Sequence, residues 1–582
     1  MKFDMILVHA PSVYDFRKMD DVLFAYLSNS DSVHISPIFE MPPVGIFALK
    51  QHLQRCGYTS EFFNVASQML RDPNFDVEEF FKHAPADYIG IDLHWSVHTH
   101  GALELCKLYK QVHPNAKTIL GGIASTYFHE ELIQYPQVDY VLRGYDTLQP
   151  LQELMAAKNS PDKLKDVQNL TWKSGNEARF NDLSYTPKFL SSAVDWTQIL
   201  AGDRKGLTPY NIVIPQAGCE YGCRWCGGSR YFFKKYMGLD SGVPRIQKSP
   251  EALKAELASI AKTTKGGHTI TMIDFWHEYP ALFDAGTDVF VDDKIDCVHF
   301  SLHRLPSVEK GRQMAQPCRA VIELSPDSHD LEVAKASGRG KYTMQQMEDF
   351  MDALIDNVYS FEIYFMLGLP KQTRASVMET VDYCDHLLKK YKGKNVTPYI
   401  CPMLPFLDPG SEIFDNAEQW GYNILHHSLE DHRQALVSMN WKDRLNYETQ
   451  WMTRQELVDV SYESVRALTD LKEKYGILPH GFADAIRKLI DGTRSFLKEI
   501  DAYQAMPEGE EKLRASGPLK QRIAEYNRKQ FKTIRSQQRP IDLGFSRQQW
   551  FDTQEAFDRV MPAPAPVMPT GAPSVTPAQA GA

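Results

Sequence analysis

Three cysteines, Cys219, Cys223 and Cys226, fall within eight residues of one another in the stretch Gln216-Ala-Gly-Cys-Glu-Tyr-Gly-Cys-Arg-Trp-Cys-Gly-Gly228, with the spacing C-x3-C-x2-C. Thiolates this close on a glycine-rich loop can close around one metal centre. A structural zinc or a fully ligated cluster takes four protein ligands, so a three-thiolate site leaves one position open for chemistry. The plain alternatives are buried structural cysteines or a zinc knuckle short of its fourth ligand. The other six cysteines, Cys56, Cys106, Cys297, Cys318, Cys384 and Cys401, lie singly and read as small buried hydrophobes. A second cluster is not expected.

The loop needs a scaffold, and the surrounding sequence supplies one. A strand-like run at 211–214 leads into it. Further apolar runs follow at 269–275, 297–302, 320–325, 360–367 and 396–404. Helical stretches separate them, one at 250–261 and one opened by the capping-box pattern Thr343-Met-Gln-Gln346. Six β/α units predict a parallel barrel wall with its chemistry at the carboxyl ends of the strands. Ahead of it, strand-like runs at 5–8, 88–92, 118–122 and 138–144 alternate with helical segments after Gly45 and over 101–112. That pattern predicts a first α/β domain with a parallel sheet and ligands at the strand ends. Gly121, Gly122 and Gly144 stand at such ends, where glycine lets the backbone approach a flat or bulky ligand. His94, His98 and His100 read as polar loop histidines. Residues 151–207 read as a connector holding a small hairpin around Gly175-Asn176.

The cysteine spacing, with the aromatic Trp225 before the last cysteine, resembles the radical S-adenosylmethionine (SAM) enzymes. The order of the first domain, with Pro42-Pro-Val-Gly45, Leu120-Gly-Gly122 and Asp139-Tyr-Val-Leu-Arg-Gly144, resembles the cobalamin-binding domain that precedes the radical SAM core in one large class. The resemblance covers roughly residues 1–415. It implies a Rossmann-like cobalamin-binding α/β domain followed by a partial (β/α)6 radical SAM barrel. A [4Fe-4S] cluster would be held by Cys219, Cys223 and Cys226, with SAM on its open iron. It also implies SAM contacts from Glu323 and Ser325 at the end of the fourth strand and from Gly368 in the turn after the fifth. At the end of the second strand the chain reads Ile273-Asp-Phe-Trp-His-Glu278 where many members have Gly-Gly-Glu, so a backbone carbonyl or Asp274 is the candidate for the SAM amino group. The Asp-x-His-x-x-Gly motif that supplies a lower histidine ligand in many cobalamin proteins is missing: Asp92-Leu-His94 is followed by Trp95-Ser-Val97. Cobalamin is therefore expected without a histidine from that motif.

The chemistry so implied is cleavage of SAM by the reduced cluster, hydrogen abstraction from an unactivated carbon, and methyl donation from cobalamin. The substrate would be a small molecule or lipid, and the electron donor a flavodoxin or ferredoxin; no catalytic side chain is singled out. The rivals are a cobalamin-class ring closure, rearrangement or oxidoreduction without methyl transfer, and a non-catalytic iron–sulfur electron carrier or sensor.

At 582 residues the chain has the length for about three domains. We expect 1–195 as the first domain with its connector, 205–415 as the barrel, 416–560 as a mostly helical region, and 561–582 as a Pro/Ala-rich disordered tail. A net charge of −10 argues against a general nucleic-acid binder. No apolar run is long enough to span a bilayer, and the N-terminus reads as a strand rather than a signal peptide. Unpatterned cysteines point to a reducing cytoplasm. Asp408, in the turn after the sixth strand, reads as a substrate contact. His426, His427, His432, Trp441, Tyr447 and Trp451 are expected to close over the barrel mouth, and the basic run at 510–539 to form a solvated helix face, with a membrane-surface or anionic-substrate contact as the alternative.

Overall fold

The structure, a computed structural model, describes residues 2–20, 22, 43–72, 74–185, 187, 189–190, 193–198, 211–239, 246–262, 269–273, 278–293, 295, 297–402 and 407–537. Asp274, Trp276 and the 561–582 tail lie outside the described residues.

The first sheet contains β1 (Phe3–His9), β2 (Ser60–Asn64), β3 (Ala86–Asp92), β4 (Lys117–Gly121), β5 (Tyr140–Leu142), β6 (Leu170–Ser174) and β7 (Glu177–Phe180), in the order β2-β1-β3-β4-β5-β6-β7. The first five strands are parallel. Alternation along β1 sends Ile6 and Val8 into one apolar cluster and Met5 and Leu7 into another, so helices cover both faces. The hairpin expected around Gly175 forms, with Gly175 at φ +62°. It is no free connector element: β6 pairs antiparallel with β5 and extends the sheet. Strand β2 was not foreseen. Because β2 and β3 lie on opposite sides of β1, the switch point where parallel sheets take their ligands falls between the ends of β1 and β3.

The second sheet is the expected set of six. It is formed by β8 (Asn211–Val213), β11 (Thr269–Ile273), β12 (Cys297–Leu302), β13 (Arg319–Asp327), β14 (Ser360–Leu367) and β15 (Val396–Pro402), all parallel and in chain order. Between β8 and β11 a short antiparallel ribbon joins β9 (Gln216–Ala217) to β10 (Ile246–Gln247). Alternate residues divide sharply by chemistry. Val298, Phe300, Ile322, Leu324, Phe361, Ile363 and Ile400 enter the helix-packed core, while His299, Ser301, Glu323, Ser325, Glu362 and Tyr364 occupy the opposite strand positions. The barrel thus has an apolar outside and a polar inside.

The C-terminal region opens with a small ribbon of β16 (Tyr422–Ile424) and β17 (Tyr447–Thr449). Helices Arg454–Lys474, His480–Gln504 and Glu510–Gln537 follow. The capping box expected at Thr343 forms, and a second opens the helix after Thr453. The basic run lies on the last helix, but Lys512, Arg514, Lys520 and Arg522 pair with Glu508, Glu510, Asp20 and Glu499. No helix among the described residues is long and apolar enough to cross a membrane.

Candidate functional site

The cysteine loop leaves β9 through Gly218, at φ +85°, and is fastened from three sides. Arg224 N–H donates to Ser337 O at 2.9 Å, and its guanidinium donates to Lys335 O at 2.9 Å and Ala336 O at 2.7 Å. Ile413 N–H donates to Arg224 O at 2.9 Å. Gly227 N–H donates to Asp408 Oδ2 at 2.8 Å. The tightest contact is backbone on backbone. A Cβ on Gly338, at φ +90°, would stand 1.8 Å from Gly222 O and 3.1 Å from the Cα of Cys223. Only glycine brings the segment after helix Leu331–Ala336 so close to the cysteines.

Two sulfurs already accept backbone donors, Tyr221 N–H to Cys219 Sγ at 3.4 Å and Gly228 N–H to Cys226 Sγ at 3.3 Å. Burial, followed by Asp408, Cys223 and Cys219, pushes the Cys226 thiol well above its ordinary value. Three thiolates can therefore share this loop only around a cationic centre. Among the described residues no three His, Cys, Asp or Glu side chains are arranged to hold a metal ion. A cubane makes a different demand, since each cysteine binds a separate iron at a separate corner.

Facing the loop is a buried cation that the sequence reading passed over. Arg339 is 8% exposed, lies 3.5 Å from Asp327 Oδ2, and leaves Nε and Nη1 without a hydrogen bond. Burial opposes its charge, but Asp327 and then Cys223 outweigh it and hold its pKa above the ordinary value. Asp327, at a register shift in β13 and at φ +65°, also accepts from Trp225 Nε1 at 3.3 Å. Nearby, the Tyr342 hydroxyl and His303 Nδ1 are buried without a partner. Burial and Arg339 push His303 down to about 3. The one visible signal for Arg339 was its place between two glycines in Ser337-Gly-Arg-Gly340.

The other barrel candidates divide. Glu323 and Ser325 do meet: Ser301 Oγ and Ser325 Oγ donate to Glu323 Oε1 at 2.9 and 3.1 Å. His299 Nε2 lies 3.6 Å from both Glu323 Oε2 and Glu362 Oε2. Gly368 has a packing reason of its own, since at φ +98° its Cβ would stand 2.4 Å from the Tyr447 hydroxyl, and Tyr422 OH donates to its carbonyl at 2.6 Å. Asp408 holds the cysteine loop through Oδ2, which accepts from Gly227, and burial, partly offset by that N–H, pushes it up to about 6. The aromatic and histidine set does not form a cover as a group. His432, Trp441 and Tyr447 are at most 1% exposed, in the core of the C-terminal region, and Trp441 Nε1 donates to Tyr462 OH at 3.0 Å.

At the first sheet, His9 ends β1 and Asp92 ends β3, on either side of the switch point. His9 Nδ1 lies 3.0 Å from each Asp92 oxygen, and both residues are buried. Burial alone would raise the Asp92 pKa, but His9 reverses the balance and lowers it. Gly122, at φ +121°, stands where a Cβ would fall 2.6 Å from the Cα of His94. The turns after β3 and β4 thus interlock, with Ala124 N–H on His94 O and Ser125 N–H on Leu93 O, both at 3.1 Å. Gly144, at φ +108°, donates its N–H to Thr126 Oγ1 at 3.0 Å. Gly121 meets nothing closer than 3.7 Å. The hydroxyls of Ser12 and Ser125 are buried without a partner. The two halves meet just beyond, where Ile123, Tyr127 and Tyr145 pack on Phe232, Phe233 and Met237 of the segment after the cysteines.

Residues 33–150 match the family model of the B12-binding domain. The fold and the order of its parts are similar to those of solved members of the cobalamin-dependent radical SAM class. Within it, the radical SAM methyltransferase TsrM of Kitasatospora setae, solved with cobalamin and a [4Fe-4S] cluster, superposes with a TM-score of 0.54 at 13% identity, over 91% of this chain and 100% of that one. OxsB, a cobalamin-dependent SAM radical enzyme solved with aqua-cobalamin and SAM, superposes with a TM-score of 0.52 at 12% identity, over 95% of this chain and 83% of that one. An uncharacterised methyltransferase of Pyrococcus horikoshii is 22% identical over 415 residues, 69% of this chain and 81% of that protein.

Proposed function

We propose that this chain is a cobalamin-dependent radical SAM enzyme that methylates an unactivated carbon of a small-molecule or lipid substrate, with single electrons from a flavodoxin- or ferredoxin-type donor. Its parts are taken as 1–195 for cobalamin, 205–415 for cluster and SAM, and 416–560 as a mostly helical region. The observation that carries the reading is Arg339: a buried guanidinium with unused donors, beside three cysteines, at the mouth of a parallel barrel. Such a group calls for an anion, and the carboxylate of SAM bound at an open cluster iron answers it.

The residues fit the groups. Cys219, Cys223 and Cys226 would hold the cluster. Arg339 would take the SAM carboxylate, Glu323 and Ser325 its ribose, and the Gly368 turn its adenine; Asp274 is kept for the amino group. Gly121, Gly122 and Gly144, with the unused Ser12 and Ser125 hydroxyls, would receive cobalamin. Together these cofactors supply, when bound, a carbon-centred radical and a transferable methyl group. The chain's own part is to orient them and to keep water out. TsrM is solved with a tryptophan substrate, which supports a small-molecule substrate here.

The test is anaerobic reconstitution with iron and sulfide, followed by SAM and dithionite. Wild type is expected to release 5′-deoxyadenosine, and Cys223→Ala to lose both that product and most cluster iron. Arg339→Met is expected to keep the iron and weaken SAM binding by about tenfold to a hundredfold, the weight of one charged hydrogen bond. Wild type that makes no 5′-deoxyadenosine overturns the reading.

A further inference from the structure

Asp415 ends the short helix Glu412–Asp415 after β15, and its side chain is 7% exposed. Four donors from two other elements converge on it. Tyr231 OH, Lys235 Nζ and Tyr236 OH donate to Oδ2 at 2.8, 2.8 and 2.7 Å. All three come from helix Arg230–Tyr236, which starts four residues after Cys226. The fourth, Tyr127 OH, lies 3.5 Å from Oδ1 and ends helix Ile123–Tyr127, which starts directly after Gly122.

The packing around this carboxylate is equally close. The Tyr127 ring stands edge-on to Tyr236 at 5.0 Å and to Phe414 at 6.1 Å. Gly410, at φ +83°, lets both Tyr127 and Phe232 approach, since its Cβ would stand 2.8 Å from one ring and 2.7 Å from the other. Ile413, within the same short helix, is hydrogen-bonded to Arg224 of the cysteine loop. One carboxylate thus joins an element leaving the glycine pair of the first sheet to an element leaving the cysteines.

We propose that Asp415 is a positioning residue that holds the cobalamin end of the first sheet in fixed register with the cysteine loop. The inference rests on the cofactor reading above and adds what sets the separation of the two cofactors. Reactions between separately held groups depend steeply on that separation, and a misplacement of about 1 Å can cost roughly a hundredfold in rate. Each cofactor's own shell lies elsewhere, so loss of Asp415 leaves both bound and loosens only their mutual geometry.

The experiment needs no substrate. The full chain is loaded with cluster and cobalamin and reduced to the paramagnetic cluster and cob(II)alamin. Pulsed dipolar electron paramagnetic resonance then reads the distance distribution between the two centres. Wild type is expected to give one narrow distribution. Asp415→Ala is expected to broaden and shift it by on the order of 1 Å, with iron and cobalamin content and 5′-deoxyadenosine release unchanged. Asp415→Asn keeps an acceptor oxygen for the tyrosines and is expected to restore most of the narrow distribution. Tyr127→Phe, which removes the one bond from Asp415 to the first domain and leaves the other three donors in place, is expected to broaden it nearly as much as Asp415→Ala. If Asp415→Ala keeps the wild-type distribution, the inference is overturned and the cofactor reading stands. If wild type lacks either signal, the cofactor reading falls and takes the inference with it.

Discussion

The two parallel sheets end in opposite ways. At the first, the turns after β3 and β4 interlock, His9 is satisfied by Asp92, and Gly122 admits the backbone of His94. Apart from the buried hydroxyls of Ser12 and Ser125, which lack a partner, its groups serve mainly one another and build a preformed floor. At the second, the strand ends surround buried polar atoms that make no hydrogen bond: Arg339 Nη1, Tyr342 OH, His303 Nδ1 and Arg339 Nε, which has only the Asp327 carboxylate at 3.5 Å. Orphaned buried donors are costly, so such a site keeps them only where a ligand repays the loss. A finished floor suits a large rigid ligand held mostly by shape; an unfinished pocket suits a small polar one that must be oriented.

The contrast breaks first at glycine. Gly338→Ala places a Cβ 1.8 Å from a backbone oxygen at a positive φ, and the cysteine loop must move. Loss of most cluster iron is expected, with a stability cost on the order of 4 kcal/mol, at the severe end for point mutations. Iron analysis and thermal unfolding measure both. Gly122→Ala strikes the other sheet, where a Cβ at 2.6 Å from His94 Cα unlocks the floor. It is expected to lose cobalamin, read from the visible spectrum, while keeping cluster iron. A variant that lost both cofactors would erase the distinction between the sheets.

A graded effect, spread over several groups, is expected from pH. Burial pushes His94, His100, His129 and His432 each down to about 4, against about 6.5 in an unfolded chain. They stay neutral in the fold but take up protons on unfolding, so their stabilisation is complete above about pH 6.5 and is lost as pH falls towards 4, by up to about 1.4 kcal/mol per unit for each fully linked group. The first three belong to the first domain, and His432 packs on its Phe128 at 5.7 Å; the barrel strand ends add His303 and, less shifted, His329. Hydrogen exchange at pH 5.5 and 7.5 should show β3 and β4 losing protection before β12 to β14.

The sequence made plain what is local or periodic. Six strands announced themselves by apolar runs, the hairpin by Gly175-Asn176, one helix by its capping box, and the cysteine loop by its spacing. It hid what depends on chains meeting from afar. His9 and Asp92 are 83 residues apart, and Tyr127 and Asp415 are 288 apart; neither pair leaves a pattern in its own neighbourhood. Strand β2 is a five-residue edge segment with polar ends, too short for alternation to reveal. The C-terminal aromatic and histidine residues misled because a packed core and a cover over a pocket draw on the same side chains. Gly368 was noticed for a ligand, yet the neighbour that demands it is Tyr447.

The family match ends at residue 150, but the sheet does not. Strands β6 and β7 run to Phe180, and farther on Gln51 exchanges hydrogen bonds with the backbone of Asp195 at 2.7 and 2.8 Å. A fragment cut at 150 would bare the long side of β5 as a row of unpaired amides and carbonyls, an invitation to self-association. The piece to excise for studying corrinoid capture in isolation therefore runs to about residue 198, and solubility should track that choice more closely than affinity does.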